Sequence, residues 1–164
     1  MMMRLFSRTP LAALALAASG AALADVQVEY VHPETFSDLP FSTGEREQVL
    51  KDLSAHFLEL GRRLPADEHL RIVVSDIDLA GRAVPSRRQI DAIRVMRGET
   101  DWPHMRLHYT LEQNGKVIAS GDGDLNDMDY LHGINRYSSG DSLRYEKKMI
   151  DDWFAGIFGA GRHG

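Results

Sequence analysis

The chain has no cysteine among its 164 residues. Disulfides, thiolate metal sites and thiol nucleophiles are thereby excluded, and stability must come from packing. Basic residues are in the minority, 19 Lys and Arg against 24 Asp and Glu, for a formal net charge of −5. That balance argues against broad binding to nucleic acid or to anionic membrane surfaces, because both call for a basic footprint. Beyond Asp25 no apolar run approaches the ~20 residues of a membrane-spanning helix. Catalytic signatures are missing as well. There is no Gly-x-Ser-x-Gly elbow, no Ser-x-x-Lys pair, no phosphate-binding glycine loop and no dinucleotide fingerprint. No cofactor is implied, and neither repeats nor low-complexity tracts occur.

What is present begins with the leader. Met1 to Arg8 is a basic start, Leu11 to Ala18 is apolar, and Ala22-Leu23-Ala24 is a small-x-small site. This predicts a secretory signal peptide over residues 1–24, cut between Ala24 and Asp25. The apolar stretch is too short for an anchor and breaks at Ser19-Gly20. Position 25 is Asp rather than the cysteine a lipid anchor needs. Residues 25–164 are then one exported domain with one core. Loss of Arg4 and Arg8 makes its net charge −7. No nucleic acid partner and no stable membrane insertion are expected.

Periodicity outlines the elements. Val26 to Val31 alternates and reads as a strand ending at His32-Pro33. Residues 33–41 read as a loop. Ser42-Thr-Gly-Glu45 fits a capping box, and Val49, Leu50, Leu53, Phe57 and Leu60 recur at helical spacing until Leu64-Pro65. Leu70 to Leu79 suits a central strand, with a weaker strand over Asp91 to Arg97. Met105, Leu107, Tyr109 and Leu111 alternate with polar residues, and Asn114-Gly115 is a two-residue hairpin turn leading into Lys116 to Leu125. A last helix, capped at Asp141 or Ser142, presents Leu143, Met149, Ile150, Trp153, Phe154, Ile157 and Phe158. The order β-α-β-β-β-β-α predicts a single α+β domain. Its sheet is antiparallel or mixed, of about five strands, with two helices on one face.

Two segments carry suspicious chemistry. Asp76 and Asp78 continue the alternation of Leu70, Ile72 and Val74, which sets two carboxylates where core-facing side chains belong. They read either as acid/base or metal-ligating groups or as a strand end, one accepting from the Ala80-Gly81 turn and the other pairing with Arg82 or Arg94. Asp122, Asp124, Asp127 and Asp129 crowd together with Asn126 and no basic residue among them. They open like a calcium loop, but Asp127 stands where the invariant glycine belongs and Gly133 where the bidentate Glu belongs. The competing reading is a solvated strand end that discourages edge pairing. His104 and His108 lie on a strand about 13 Å apart and cannot share one zinc.

A set of spaced motifs resembles one family closely. These are Tyr30-x-x-Pro33-x-x-Phe36-x-Asp38, Asp76-Ile-Asp78-Leu-Ala-Gly-Arg82, Ile93-Arg94-Val95, Trp102-Pro103, Leu125-x-Asp127-x-x-Tyr130 and Tyr145-Glu146-Lys-x-Met149-x-x-x-Trp153-Phe154. The family is the proteobacterial periplasmic domain of unknown function 3016, and the resemblance implies periplasmic location and a single domain but no activity. The expected function is a non-enzymatic binding or envelope accessory module. It would meet an envelope protein or a small ligand through Asp76, Asp78, Arg82, Arg94, Asp127 and Tyr130. The alternative is a Ca²⁺- or Mg²⁺-dependent protein or hydrolase using Asp76 and Asp78 with Asp122, Asp124, Asp127 and Asp129.

Overall fold

Parallel neighbours in a sheet need a long crossover, and the first helix supplies one. In the computed structural model, which describes residues 24–84 and 93–159, β1 (Asp25–Tyr30) lies parallel to β2 (Glu68–Asp78), with α1 (Thr43–Gly61) between them in sequence. The α1 amino end is where the capping box set it, with the Glu45 N–H 3.5 Å from the Ser42 hydroxyl. β5 (His104–Gln113) runs antiparallel to β2, and β6 (Lys116–Asn126) antiparallel to β5. The sheet is therefore mixed, of four strands in the order β1-β2-β5-β6. Asn114 and Gly115 turn the β5–β6 hairpin with φ of 51° and 75°, the positive pair expected of that turn.

The weaker strand is realised as β4 (Ile93–Val95), but not in the main sheet. It pairs with β3 (Arg82–Val84), a strand that periodicity did not announce, as a separate two-stranded ribbon. Asp91, where that strand was expected to begin, lies outside the described residues. So does the expected leader as far as residue 23.

One sheet face is covered by both helices. Leu53, Phe57 and Leu60 of α1 meet Met149, Ile150 and Phe154 of α2 (Arg144–Phe154) over Ile72, Val74, Ile77, Met105, Leu107 and Leu111. Trp153 joins them edge-on, with ring centroids 5.8 Å from Tyr109 and 5.9 Å from Phe158. α2 begins at Arg144 rather than directly after Asp141. The Asp141 carboxylate still caps the entering turn, accepting from the Leu143 N–H at 2.9 Å and from Lys147 at 2.6 Å. A π turn (Ala155–Gly159) extends the helix and buries Phe158.

A bulge corrects the expected placement of Asp76 and Asp78. Val74 faces Leu107, but Asp76 faces Arg106, so Ser75 is an extra residue in the ladder. An added residue reverses the alternation. Ile77 takes the core position opposite Met105, and both aspartates move to the face away from the helices.

Candidate functional site: a polar clasp at the end of β2

The segment after β1 folds back across the end of β2. Asp38 donates its N–H to the Ile77 carbonyl at 3.0 Å and bridges Asp78 in parallel fashion. Asp76 lies beneath it, 5% exposed. Its carboxylate accepts from the Ser37 N–H, the Ser37 hydroxyl and the Arg106 guanidinium, each at 2.8 Å. Burial pushes this carboxyl up, but the three donors outweigh burial and hold it below the ordinary aspartate value.

Arg94 reaches back from β4. Its Nη1 donates to Asp38 at 2.8 Å and lies 3.1–3.3 Å from the carbonyls of Leu79, Ala80 and Gly81. Gly81 is needed there: its φ is 78°, and a Cβ would come within 2.7 Å of the Val95 carbonyl oxygen. The N–H groups of this turn point inward. Gly81 donates to the Asp101 carbonyl at 2.8 Å, and Ala80 donates to Glu146 of α2 at 2.7 Å. Glu146 is 1% exposed, its second oxygen has no hydrogen-bond partner among the described residues, and burial drives its carboxyl up against the partial help of the Ala80 N–H. Asp101 completes the clasp. Its carboxylate accepts from the N–H groups of Arg97, Gly98 and Glu99 and from the Tyr130 hydroxyl at 2.7–3.2 Å. Burial beside that carboxylate pushes the Tyr130 phenol up to about 12.

All six residues expected at a binding surface lie at this end of the sheet, with unequal freedom. Asp76 and Tyr130 are buried, Arg94 is bonded on several sides, and Asp127 pairs with Lys148 at 2.9 Å. Asp78 and Arg82 stay accessible, with side chains 28% and 53% exposed and 3.8 Å apart. Burial raises the Asp78 carboxyl, Arg82 opposes it, and Asp38 and Asp76 add to the rise. The Ala80-Gly81 donors go to Glu146 and Asp101 rather than to an aspartate of β2, and Arg94 takes Asp38.

The acidic cluster is dispersed among separate partners. On the open face Asp122 pairs with His108 at 2.7 Å and Asp124 with His104. Asp127 turns to Lys148, and Asp129 to His132 at 3.0 Å. Among the described residues no group of three or more His, Asp or Glu is arranged to hold a metal. Ser120, His108 and Asp122 form a hydrogen-bonded chain, with Ser120 Oγ 3.1 Å from His108 Nε2 and Asp122 on His108 Nδ1. This is the connectivity of an acyl-transfer relay. Yet the Asp122 side chain is 92% exposed, and the Ser120 hydroxyl also donates to the Tyr109 carbonyl at 3.1 Å, which competes with the histidine for its proton. The chain of bonds is a surface feature.

Sequence reasoning missed Asp101 and Ser37 as anchoring groups, and Glu146 entered only inside a motif. A signal for Glu146 existed. It sits three residues after Leu143 and four before Ile150, in the apolar stripe of α2.

A mixed four-stranded sheet, two helices on one face and a knot of carboxylates and arginines at one end define a single α+β domain. Most of its inward polar groups secure its own loops. The chain belongs to the family DUF3016, described as proteins of unknown function, whose model matches residues 24–156. No curated protein matches it. Among solved structures, lipoprotein GNA1162 from Neisseria meningitidis aligns over 84% of this chain and 96% of its own at 14% identity, with a TM-score of 0.25, too loose a likeness to carry an argument. No described helix is long and apolar enough to cross a membrane.

Proposed function

We propose that the protein is an exported, periplasmic, non-enzymatic binding module, released as residues 25–164, and that it engages an envelope protein or a small polar ligand through Asp78 and Arg82. The observation that carries this reading is the contrast within the clasp. Asp76, Arg94, Asp101, Asp127, Tyr130 and Glu146 are consumed in holding three loops in place, whereas Asp78 and Arg82 present a carboxylate and a guanidinium 3.8 Å apart at its surface, with Arg82 steadied by one bond to the Thr100 carbonyl at 3.2 Å. A rigidly supported pair of opposite charge suits a polar partner that donates to one member and accepts from the other. Asp76, Arg94, Asp127 and Tyr130 act as positioning groups behind it.

The test is to cross-link the protein in its native envelope from a photoreactive residue near Arg82, with and without Asp78→Asn. One reproducible adduct, lost in Asp78→Asn while the melting temperature holds, supports the reading. A profile equal to that of an unrelated exported protein sinks it.

A further inference from the structure

The segment leading into α2 is attached to both helices through polar contacts that converge on one histidine. Within residues 134–142, Ile134, Arg136, Ser138, Ser139 and Gly140 are exposed. The anchor is Asp151 of α2, whose side chain is 12% exposed. One of its oxygens accepts from the Tyr137 hydroxyl and the Arg136 guanidinium, each at 2.6 Å, and the other from His56 of α1 at 3.0 Å. Burial raises the Tyr137 phenol, so its hydroxyl stays a donor. His56 is itself 9% exposed, and its ring meets Tyr137 edge-on with centroids 5.6 Å apart. Its Nε2 also lies 3.2 Å from the Lys147 carbonyl. A carbonyl can only accept, so Nε2 carries the hydrogen and a second proton would go to Nδ1.

The charges around this ring are already matched. Arg136 pairs with Asp151, and Lys147 of α2 pairs with Asp141 of the segment at 2.6 Å. Two cations thus meet two carboxylates. A cationic His56 would be a third cation with no carboxylate left for it, in a buried place, and that is costly. We propose that His56 is a proton-operated latch: as a neutral imidazole it clamps residues 134–142 onto α1 and α2, and its protonation in mild acid lets them go. Burial holds this imidazole below the ordinary histidine value of 6.5, with Asp151 opposing and Lys147 assisting. The clamp is therefore complete above 6.5 and is lost as pH falls through the lower value of the closed form. Neighbouring carboxyls do not mimic this. Asp141 is held below 3.8 and keeps its charge in mild acid. Glu146, raised by burial, favours the folded state as pH falls, which is the opposite sign. The latch needs His56 and Asp151 rather than Asp78, so it stands or falls separately from the Asp78–Arg82 surface.

The test follows hydrogen exchange of peptides covering residues 134–142 in the purified protein at about pH 7.5 and about pH 5.5, each rate referred to intrinsic exchange at that pH. The expected result is a several-fold rise in opening at the lower pH, with peptides of β2 and β5 unchanged. Its limit is about ten-fold, set by one proton taken up at an open-state value of 6.5. His56→Gln keeps an amide donor for Asp151 but takes up no proton, so it should lose the pH response. His132→Gln, at an exposed pair with Asp129, should keep it. Nuclear magnetic resonance of the parent's imidazoles makes the test independent of any variant, and His56 is expected to titrate below 6.5. Titration of His56 at or above that value would overturn the proposal. So would no rise at residues 134–142, a pH response that survives His56→Gln, or a rise shared by β2 and β5, which would assign it to unfolding of the whole domain.

Discussion

The two faces of the main sheet use alternate residues of the same strands, yet they are different materials. On the helix side Ile72, Val74, Met105 and Leu111 are wholly or almost wholly buried. On the open side the same strands carry Arg71–Glu29 at 2.9 Å, His108–Asp122 and His104–Asp124, exposed apart from the half-buried His104. Burial of apolar side chains contributes ~1.5–3 kcal/mol each, whereas exposed ion pairs contribute ~0–1 kcal/mol. Stability therefore resides on one face, and the open face is free to vary without unfolding the domain. The clasp belongs to neither. It is polar like the open face and buried like the core, and buried polar groups are costly when left unpaired.

The largest expected effect separates the faces. Ile72→Ala should cost about 2–5 kcal/mol through lost burial and a cavity, while Arg71→Ala should stay within about 0.5 kcal/mol. Urea unfolding of the two variants measures the difference, and comparable losses would break the comparison. Next comes the clasp. Asp101→Ala strands three N–H groups and the Tyr130 hydroxyl, for an expected cost of about 3 kcal/mol and a fall in Tm on the order of 10 °C.

A smaller effect is a difference of sign with pH. Asp76 and Asp101 have depressed carboxyls. Their contribution is complete above the unfolded value of 3.8 and is lost as pH falls through the folded value. Glu146 is opposite. Its folded value lies above 4.5, so its favourable contribution is complete below 4.5 and is lost as pH rises through the folded value. Glu146→Gln should therefore gain stability relative to the parent as pH increases, and the gap should close near pH 4.5, read from unfolding at a series of pH values. A gap independent of pH would show that burial does not raise this carboxyl.

The smallest effect concerns metal. With the acidic residues paired one by one, EDTA, Ca²⁺ and Mg²⁺ should leave Tm within about 1 °C, whereas an ion at about 100 times its Kd would add ~2.7 kcal/mol. A rise of several degrees, abolished by Asp78→Asn or Asp127→Asn, would instead favour the metal-dependent alternative.

Local chemistry made much of this fold legible. The Ser42 cap, the Asn114-Gly115 turn and the apolar stripes of α1 and α2 are written in short windows of sequence, and each sits where its window placed it. Ser75 is different. Nothing in Val74-Ser75-Asp76 reveals an extra residue, because a bulge exists only relative to its partner strand, here Leu107 and Arg106. Pairing of β3 with β4 outside the main sheet is likewise a non-local choice. At the site, residue types and their shared sheet end were readable, since Asp76, Asp78, Arg82 and Arg94 do converge. Their roles were not, because Ser37 meets Asp76 across 39 residues, and Asp101 joins its own turn to the distant Gly81 and Tyr130.

The central claim is that the clasp exists to present Asp78 and Arg82. It is tested most directly by photocross-linking from a position beside Arg82 and, in parallel, from Thr110 on the open face. The account predicts a discrete adduct at the clasp, absent at Thr110 and lost in Asp78→Asn with Tm unchanged. Identical adducts at both positions, or an adduct that survives Asp78→Asn, would contradict it.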